Sequence, residues 1–126
     1  MSNYIVLGRF QPFHNGHEYL INSAFALAQD EPVTIAIGSA KKGWESSNPW
    51  TFEERKIMIE SWLSANEKSA TIVGIEDIND PPNWVEHAKK FHGLGTLVTS
   101  DETTQRLYED SQFPVSFVGL NNRENY

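Results

Sequence analysis

Cysteine is absent from the 126 residues. That excludes disulfides, thiolate metal sites and a cysteine nucleophile, and it fits a reducing compartment such as the cytoplasm. Long hydrophobic runs are also missing. No apolar stretch approaches the roughly 20 residues that cross a bilayer, and no basic N-terminal region leads into an apolar core of the signal-peptide kind. A cytoplasmic domain with no membrane partner is therefore expected. Basic residues are scarce, 10 against 17 acidic, for a formal net charge of −7. Sequence-independent binding to a phosphate backbone needs clustered Lys and Arg, so no nucleic acid is expected as a partner. A locally positive pocket on an acidic protein still suits a small anionic ligand, and the acidic surplus itself reads as a soluble surface. Repeats, low-complexity tracts and internal linkers are lacking as well. The length fits one compact domain with its own core, expected to span residues 1–126.

What is present is an alternation of strands and helices. Short β-branched, apolar runs occur at Tyr4–Leu7, Val33–Ile37, Thr71–Ile75, Thr96–Val98 and Val115–Val118. Each lacks polar alternation, as expected of strands covered on both faces. Amphipathic segments lie between them. The first is "EYLINSAFALAQ", with Leu20, Ile21, Ala24, Phe25 and Ala28 on one face. The second runs from Thr51 to about Ala65, and Thr51 with Glu54 makes a capping box. A third covers roughly Asn83 to Phe91 after the Pro81–Pro82 break, and a fourth Glu102 to Asp110. This order predicts an α/β fold: a Rossmann-like, doubly wound, parallel five-stranded sheet with helices on both faces. Ligands of such sheets bind beyond the carboxyl ends of the strands, where the strand order switches. The loops to read are therefore Gly8–Gly16, Gly38–Pro49, Glu76–Pro82, Thr99–Asp101 and the residues from Gly119 onward.

The first of these loops is dense in chemistry. "GRFQPFHNGH", Gly8 to His17, joins the first strand to the first helix. Gly8 leaves room for close approach to the backbone, and Pro12 stiffens the turn. Asn15 or Gly16 lies near the helix N-terminus, whose unpaired N–H groups and positive dipole end suit a phosphate. His14 sits in the loop and His17 in the first helical turn, both able to donate to phosphate oxygens. Arg9 adds a permanent charge on a planar fork of donors. A lone histidine here reads as structural, but the H-x-G-H arrangement in a first βα turn is far more specific. Two histidines without carboxylate or thiolate neighbours do not read as a metal site, so no protein-held metal is expected. Neither the G-x-G-x-x-G fingerprint nor a Walker A loop is present.

"HNGH" resembles the H-x-G-H motif of the nucleotidyltransferase superfamily. The longer "GRFQPFHNGH" is similar to one branch of it, the nicotinamide mononucleotide adenylyltransferases of the archaeal and related bacterial type. The likeness continues in "IGSAKKGWESSNPWTFEER", in "NWVEH", in "TQRLYED" and in the "NNRENY" at the end of the chain. It thus covers nearly the whole sequence. The resemblance implies an enzyme that joins ATP and nicotinamide mononucleotide to give NAD and pyrophosphate by direct in-line attack, with magnesium accompanying ATP. It implies a homo-oligomer. It also implies a phosphate-binding S/T-x-x-R segment and further helices beyond Tyr126, which this sequence lacks.

Carried over residue by residue, the resemblance implies that His14, His17 and Arg9 are catalytic and stabilise the phosphates. Gly8, Phe10, Gln11, Gly16, Ser100, Asp101, Asn121 and Arg123 would border ATP. Ser39, Arg55, Asn83 and Trp84 would border nicotinamide mononucleotide, with the Trp84 indole stacking on the cationic pyridinium. The structural alternatives are an apolar anchor for Trp84 and a solvated helix charge for Arg55. Trp62 reads as core, Trp44 as part of a possible lid, His87 and His92 as structural or solvated, and Arg106 as surface. Pro81 stands where the family usually has an asparagine three residues before the tryptophan, so Asp80 or Asn83 would have to hold the carboxamide, or the base preference differs. Two other functions remain open at this point. One is a nucleotide-binding module without turnover. The other is an adenylyltransferase for another phosphorylated substrate such as FMN.

Overall fold

The computed structural model describes residues 3–10, 15–38, 50–76 and 81–119. Its elements follow one another as β1 (Tyr4–Gly8), α1 (Asn15–Ala28), β2 (Val33–Gly38), α2 (Phe52–Ala65), β3 (Thr71–Ile75), a 3-10 turn (Pro81–Asn83), α3 (Trp84–His92), β4 (Thr96–Thr99), α4 (Glu102–Asp110) and β5 (Val115–Phe117). The five strands form one sheet in the order β3-β2-β1-β4-β5, and every pairing is parallel. The fold is the Rossmann-like arrangement that the strand–helix alternation predicts. Among the described residues no helix is long and apolar enough to cross a membrane.

The missing polar alternation in the strands has a direct structural cause. In β1, Val6 packs into a cluster with Leu20, Ile21 and Ala24 of α1 and Ile59 and Leu63 of α2. Its neighbour Ile5 points the other way, to Val85 of α3 and Tyr108 of α4. Val98 and Leu97 of β4 divide in the same manner, and all six residues of β2 are buried. Successive strand side chains alternate between faces, so α1 and α2 cover one face and α3 and α4 the other. Trp62 packs against the first cluster as a half-buried side chain.

Local signals place most of the boundaries. Thr51 caps α2 reciprocally: Glu54 N donates to Thr51 Oγ1 at 3.1 Å and Thr51 N donates to Glu54 Oε1 at 2.8 Å. The two prolines fold into a 3-10 turn, so α3 begins at Trp84 rather than Asn83, as their fixed φ and missing N–H favour a tight turn over a helix interior. α1 begins at Asn15, where the helix N-terminus was expected, and His17 lies in its first turn. β5 stops at Phe117, although Val118 N still donates to Thr99 O at 2.9 Å.

The far end of the sheet is held by a buried polar network. Asn3 Nδ2 donates to His92 O at 3.1 Å, while Asn3 Oδ1 accepts from Thr34 Oγ1 at 2.9 Å. Gly95, at φ 154°, passes so close to Asn3 that a Cβ would strike the Asn3 carbonyl. His92 is buried and structural. Its Nδ1 lies 2.7 Å from Gly93 O and its Nε2 3.0 Å from the Tyr108 hydroxyl. His87 Nε2 bonds Glu76 O at 2.8 Å, tying α3 to the end of β3.

Candidate active site

The chain winds outward from β1 through β2 to β3, then returns to pair β4 with the other edge of β1. The switch in strand order therefore lies between the carboxyl ends of β1 and β4, where open α/β sheets bind their ligands. The register pairs Val6 with Val98, and continuing it sets Gly8 level with Ser100. Residues expected in the site from opposite ends of the sequence thus face each other across the switch.

On the β1 side, Gly8 ends the strand and Phe10 turns back over it. Phe10 has a φ of 54°, a left-handed conformation that costs a bulky residue energy and persists where the surroundings impose it. Its ring lies 3.1 Å from the point a Cβ on Gly8 would occupy. The close approach expected of a ligand at Gly8 is thus made by the protein itself. The Phe10 ring is 1% exposed and sits 4.5 Å, centroid to centroid, from the His17 imidazole. Phe10 therefore backs His17 with its ring from inside the core. Gly16 and His17 occupy the first turn of α1, and Arg9 is exposed at the strand's end.

Arg55 is neither a solvated charge nor open to the crevice: its side chain is fully buried. Its Nη1 donates to Arg9 O at 3.0 Å and to Gly38 O at 2.8 Å, and its Nε donates to Thr51 O at 3.1 Å. The side chain meets backbone where the sequence suggested a ligand.

On the β4 side, Ser100 is half-buried and Asp101 exposed. Asp101 caps α4, with Oδ2 accepting from Thr104 N at 2.9 Å and from Thr104 Oγ1 at 2.6 Å. Asp101 N in turn donates to Thr99 Oγ1 at 3.1 Å. The cap holds the turn after β4 in place, and its D-x-x-T spacing was a readable signal. Trp84 and Asn83 sit apart from this pair, at the start of α3. Trp84 is half-buried against the cluster of Ala36, Ile75 and Ala88, near the carboxyl ends of β2 and β3, and its ring stands 6.4 Å from Tyr108 in an edge-on contact. It is an anchor for α3 and still partly accessible. Gln11, His14, Ser39, Trp44, Asp80, Asn121 and Arg123 lie outside the described residues.

One contact had no sequence signal. The Tyr19 hydroxyl, on α1 two residues past His17, donates to Gly119 O at 2.6 Å. It ties the chain after β5 to the same helix that carries His17. Two grooves among the described residues lie off the switch. The larger, about 430 Å³, is lined by residues including Lys56, Glu60 and Lys68 at the amino end of β3, and the other, about 320 Å³, by Thr103, Arg106, Leu107 and Asp110 of α4.

The cytidylyltransferase-like family matches residues 5–120. A nicotinamide-nucleotide adenylyltransferase of Picrophilus torridus is 33% identical over 123 residues, which cover 96% of this chain and 72% of that protein. The chain belongs to the nicotinamide-nucleotide adenylyltransferase family. As a family member it is a nucleotidyltransferase. Another relative of the same name, from Methanolobus tindarius, is 34% identical over 128 residues, covering all of this chain and 72% of its own length. Among solved structures, a bifunctional NMN adenylyltransferase/ADP ribose pyrophosphatase from Francisella tularensis, complexed with AMP and a manganese ion, superposes with a TM-score of 0.71 at 28% identity. That match takes in 93% of this chain and 36% of the bifunctional one, so it concerns the adenylyltransferase fold and about a third of the neighbour's length.

Proposed function

We propose that this chain transfers the adenylyl group of ATP to nicotinamide mononucleotide, forming NAD and pyrophosphate. A phosphate oxygen of the mononucleotide attacks the α-phosphorus of ATP. The bond from that phosphorus to the oxygen bridging the β-phosphate breaks, and pyrophosphate leaves with the electron pair. The chemistry asks the protein for alignment and charge stabilisation. The observation that carries the reading is the switch in strand order between β1 and β4, whose register, continued from Val6–Val98, sets Gly8 level with Ser100.

On this reading Arg9, His14 and His17 hold phosphate oxygens as charge builds. Gly16 and Gln11 admit the triphosphate beside the N-terminus of α1, while Phe10, packed on Gly8, supports that turn from behind. Ser100 and Asp101 border the nucleoside, and Asn121 and Arg123 approach the phosphates from beyond β5. Ser39, Asn83 and Trp84 border the mononucleotide, and Arg55 serves that side of the site. Among the described residues no three metal-ligating side chains come together, and the proposal gives the protein no metal ligand. Magnesium enters with ATP, held by phosphate oxygens and water, and neutralises charge on the leaving pyrophosphate.

The test is direct quantification of NAD from nicotinamide mononucleotide, ATP and magnesium, with FMN as a competing acceptor in a parallel reaction. Wild type should make NAD, and His17→Ala should lower kcat on the order of 10²–10³-fold, as removal of one transition-state donor does. A wild-type preparation that binds both nucleotides without forming NAD would overturn the reading, as would transfer to FMN in its place.

A further inference from the structure

Among the described residues Arg55 heads the fully buried side chains in volume, and it is a permanent cation. A charge taken out of water costs several kcal/mol unless it is well paired and hydrogen-bonded. Its three described acceptors are backbone carbonyls, each at a junction. Arg9 is the first residue past β1, Gly38 is the last of β2, and Thr51 is the residue that caps α2. The loops that leave the sheet after β1 and after β2 therefore diverge from a single guanidinium. The side chain shows no surface, so it meets ligands only through what it holds.

We infer that Arg55 is a positioning residue: a buried brace that fixes the exit of β1 against the exit of β2, and both against the start of α2. The inference rests on the adenylyl-transfer reading, because the brace then sets the distance between the phosphate side of the site and the acceptor side. The Arg9 side chain leaves from the backbone whose carbonyl Arg55 holds. Phe10, one residue on, keeps its left-handed turn and backs His17 from that fixed point. Arg55 thus aligns two groups proposed to meet ATP without touching it. A guanidinium suits the task because its rigid planar fork of donors reaches several acceptors at once, whereas an ammonium is a compact point charge on a flexible stem.

The experiment compares Arg55→Met, which fills similar space without charge, and Arg55→Lys with wild type. Unfolding by denaturant measures the folded fraction, steady-state kinetics give kcat and KM for both substrates, and backbone NMR follows the amides of Arg9, Phe10 and Gly38. The expected result is a folded Arg55→Met protein whose three amide signals shift and whose kcat per folded molecule falls about 10- to 100-fold, the scale on which misalignment acts. Both KM values should stay within about threefold. Lysine, unable to reproduce the fork, should recover less than half of the lost log kcat. Unchanged amides in folded Arg55→Met would overturn the brace. A raised KM for nicotinamide mononucleotide with kcat intact would also overturn it, assigning Arg55 to direct contact. If wild type makes no NAD, the adenylyl-transfer reading falls by itself and the amide shifts alone decide the brace.

Discussion

Acidification should destabilise this protein through His92 in a way that can be sized from its surroundings. The His92 side chain is 3% exposed. A carbonyl can only accept, so the 2.7 Å contact to Gly93 O places the ring proton on Nδ1 and leaves Nε2 to accept from the Tyr108 hydroxyl at 3.0 Å. A second proton would turn Nε2 into a donor, and the hydroxyl, itself fully buried, would have to reverse. Burial is the main cause holding the imidazole below its ordinary 6.5, and the nearby positive charge of Lys89 acts in the same direction. Hydrogen bonds to backbone carbonyls pull the other way without reversing the result. The unfolded chain then takes up a proton near 6.5 that the folded chain refuses. Stability from this group is intact above 6.5 and falls as the pH drops through it, levelling only below the folded-state value.

One unit below 6.5, the loss is bounded at about 1.4 kcal/mol, a tenfold shift in the folding equilibrium, reached only where the folded imidazole stays neutral throughout. Carboxylates add their own pH dependence, so the assay is a difference. Urea unfolding at about pH 7.5 and about pH 5.5 is run on wild type and on His92→Phe combined with Tyr108→Phe, which removes both polar partners and strands neither. Wild type should lose more stability than the double variant across that interval, by up to about 1.4 kcal/mol. Parallel losses in the two proteins, or an NMR titration of His92 with its midpoint at or above 6.5, would refute the reasoning.

Phe10→Ala removes a ring that is 1% exposed and should cost about 3–5 kcal/mol in denaturant unfolding. NAD formation per folded molecule should fall as well, because His17 loses the ring behind it. For Asp101, Asp101→Ala should lose the α4 cap and about 1 kcal/mol of stability, whereas Asp101→Asn should keep the cap. Comparing KM for ATP in those two folded variants then separates the carboxylate's charge at the nucleoside from its hold on the turn.

The strands were legible nearly to the residue because the central ones, β1, β2 and β4, are covered on both faces and so read as apolar runs without polar alternation. The α2 start was legible because Thr51 and Glu54 make their own cap. The strand order, too, was legible, and with it the placing of the end of β1 at Gly8 level with Ser100 after β4. Inside the loops the sequence stopped being informative. Arg55 sits in the charged run "EERK" and reads as a ligand contact or a solvated cation, since nothing in that run announces the Arg9 and Gly38 carbonyls converging from other elements. Phe10 reads as a loop aromatic, because its left-handed backbone and its fold onto Gly8 depend on the walls around it. The Tyr19–Gly119 contact joins residues 100 positions apart, beyond any local pattern. Asp101 is the opposite case, since its cap was written in the sequence and only its neighbourhood in the site drew attention.

The strand order also bears on how the molecule comes into being on the ribosome. β1 is made first, yet it lies in the middle of the sheet, and the register that pairs Tyr4 with Thr96 leaves one of its edges open until β4 has been synthesised. Through that interval a strand rich in Ile and Val presents unpaired backbone groups, the kind of edge that invites pairing with another chain. The crevice at the β1–β4 switch needs the same late pairing. A nascent chain halted before β4 would have finished most of its helices without that crevice, so on the adenylyl-transfer reading ATP binding during synthesis would report closure of the sheet rather than collapse of the chain.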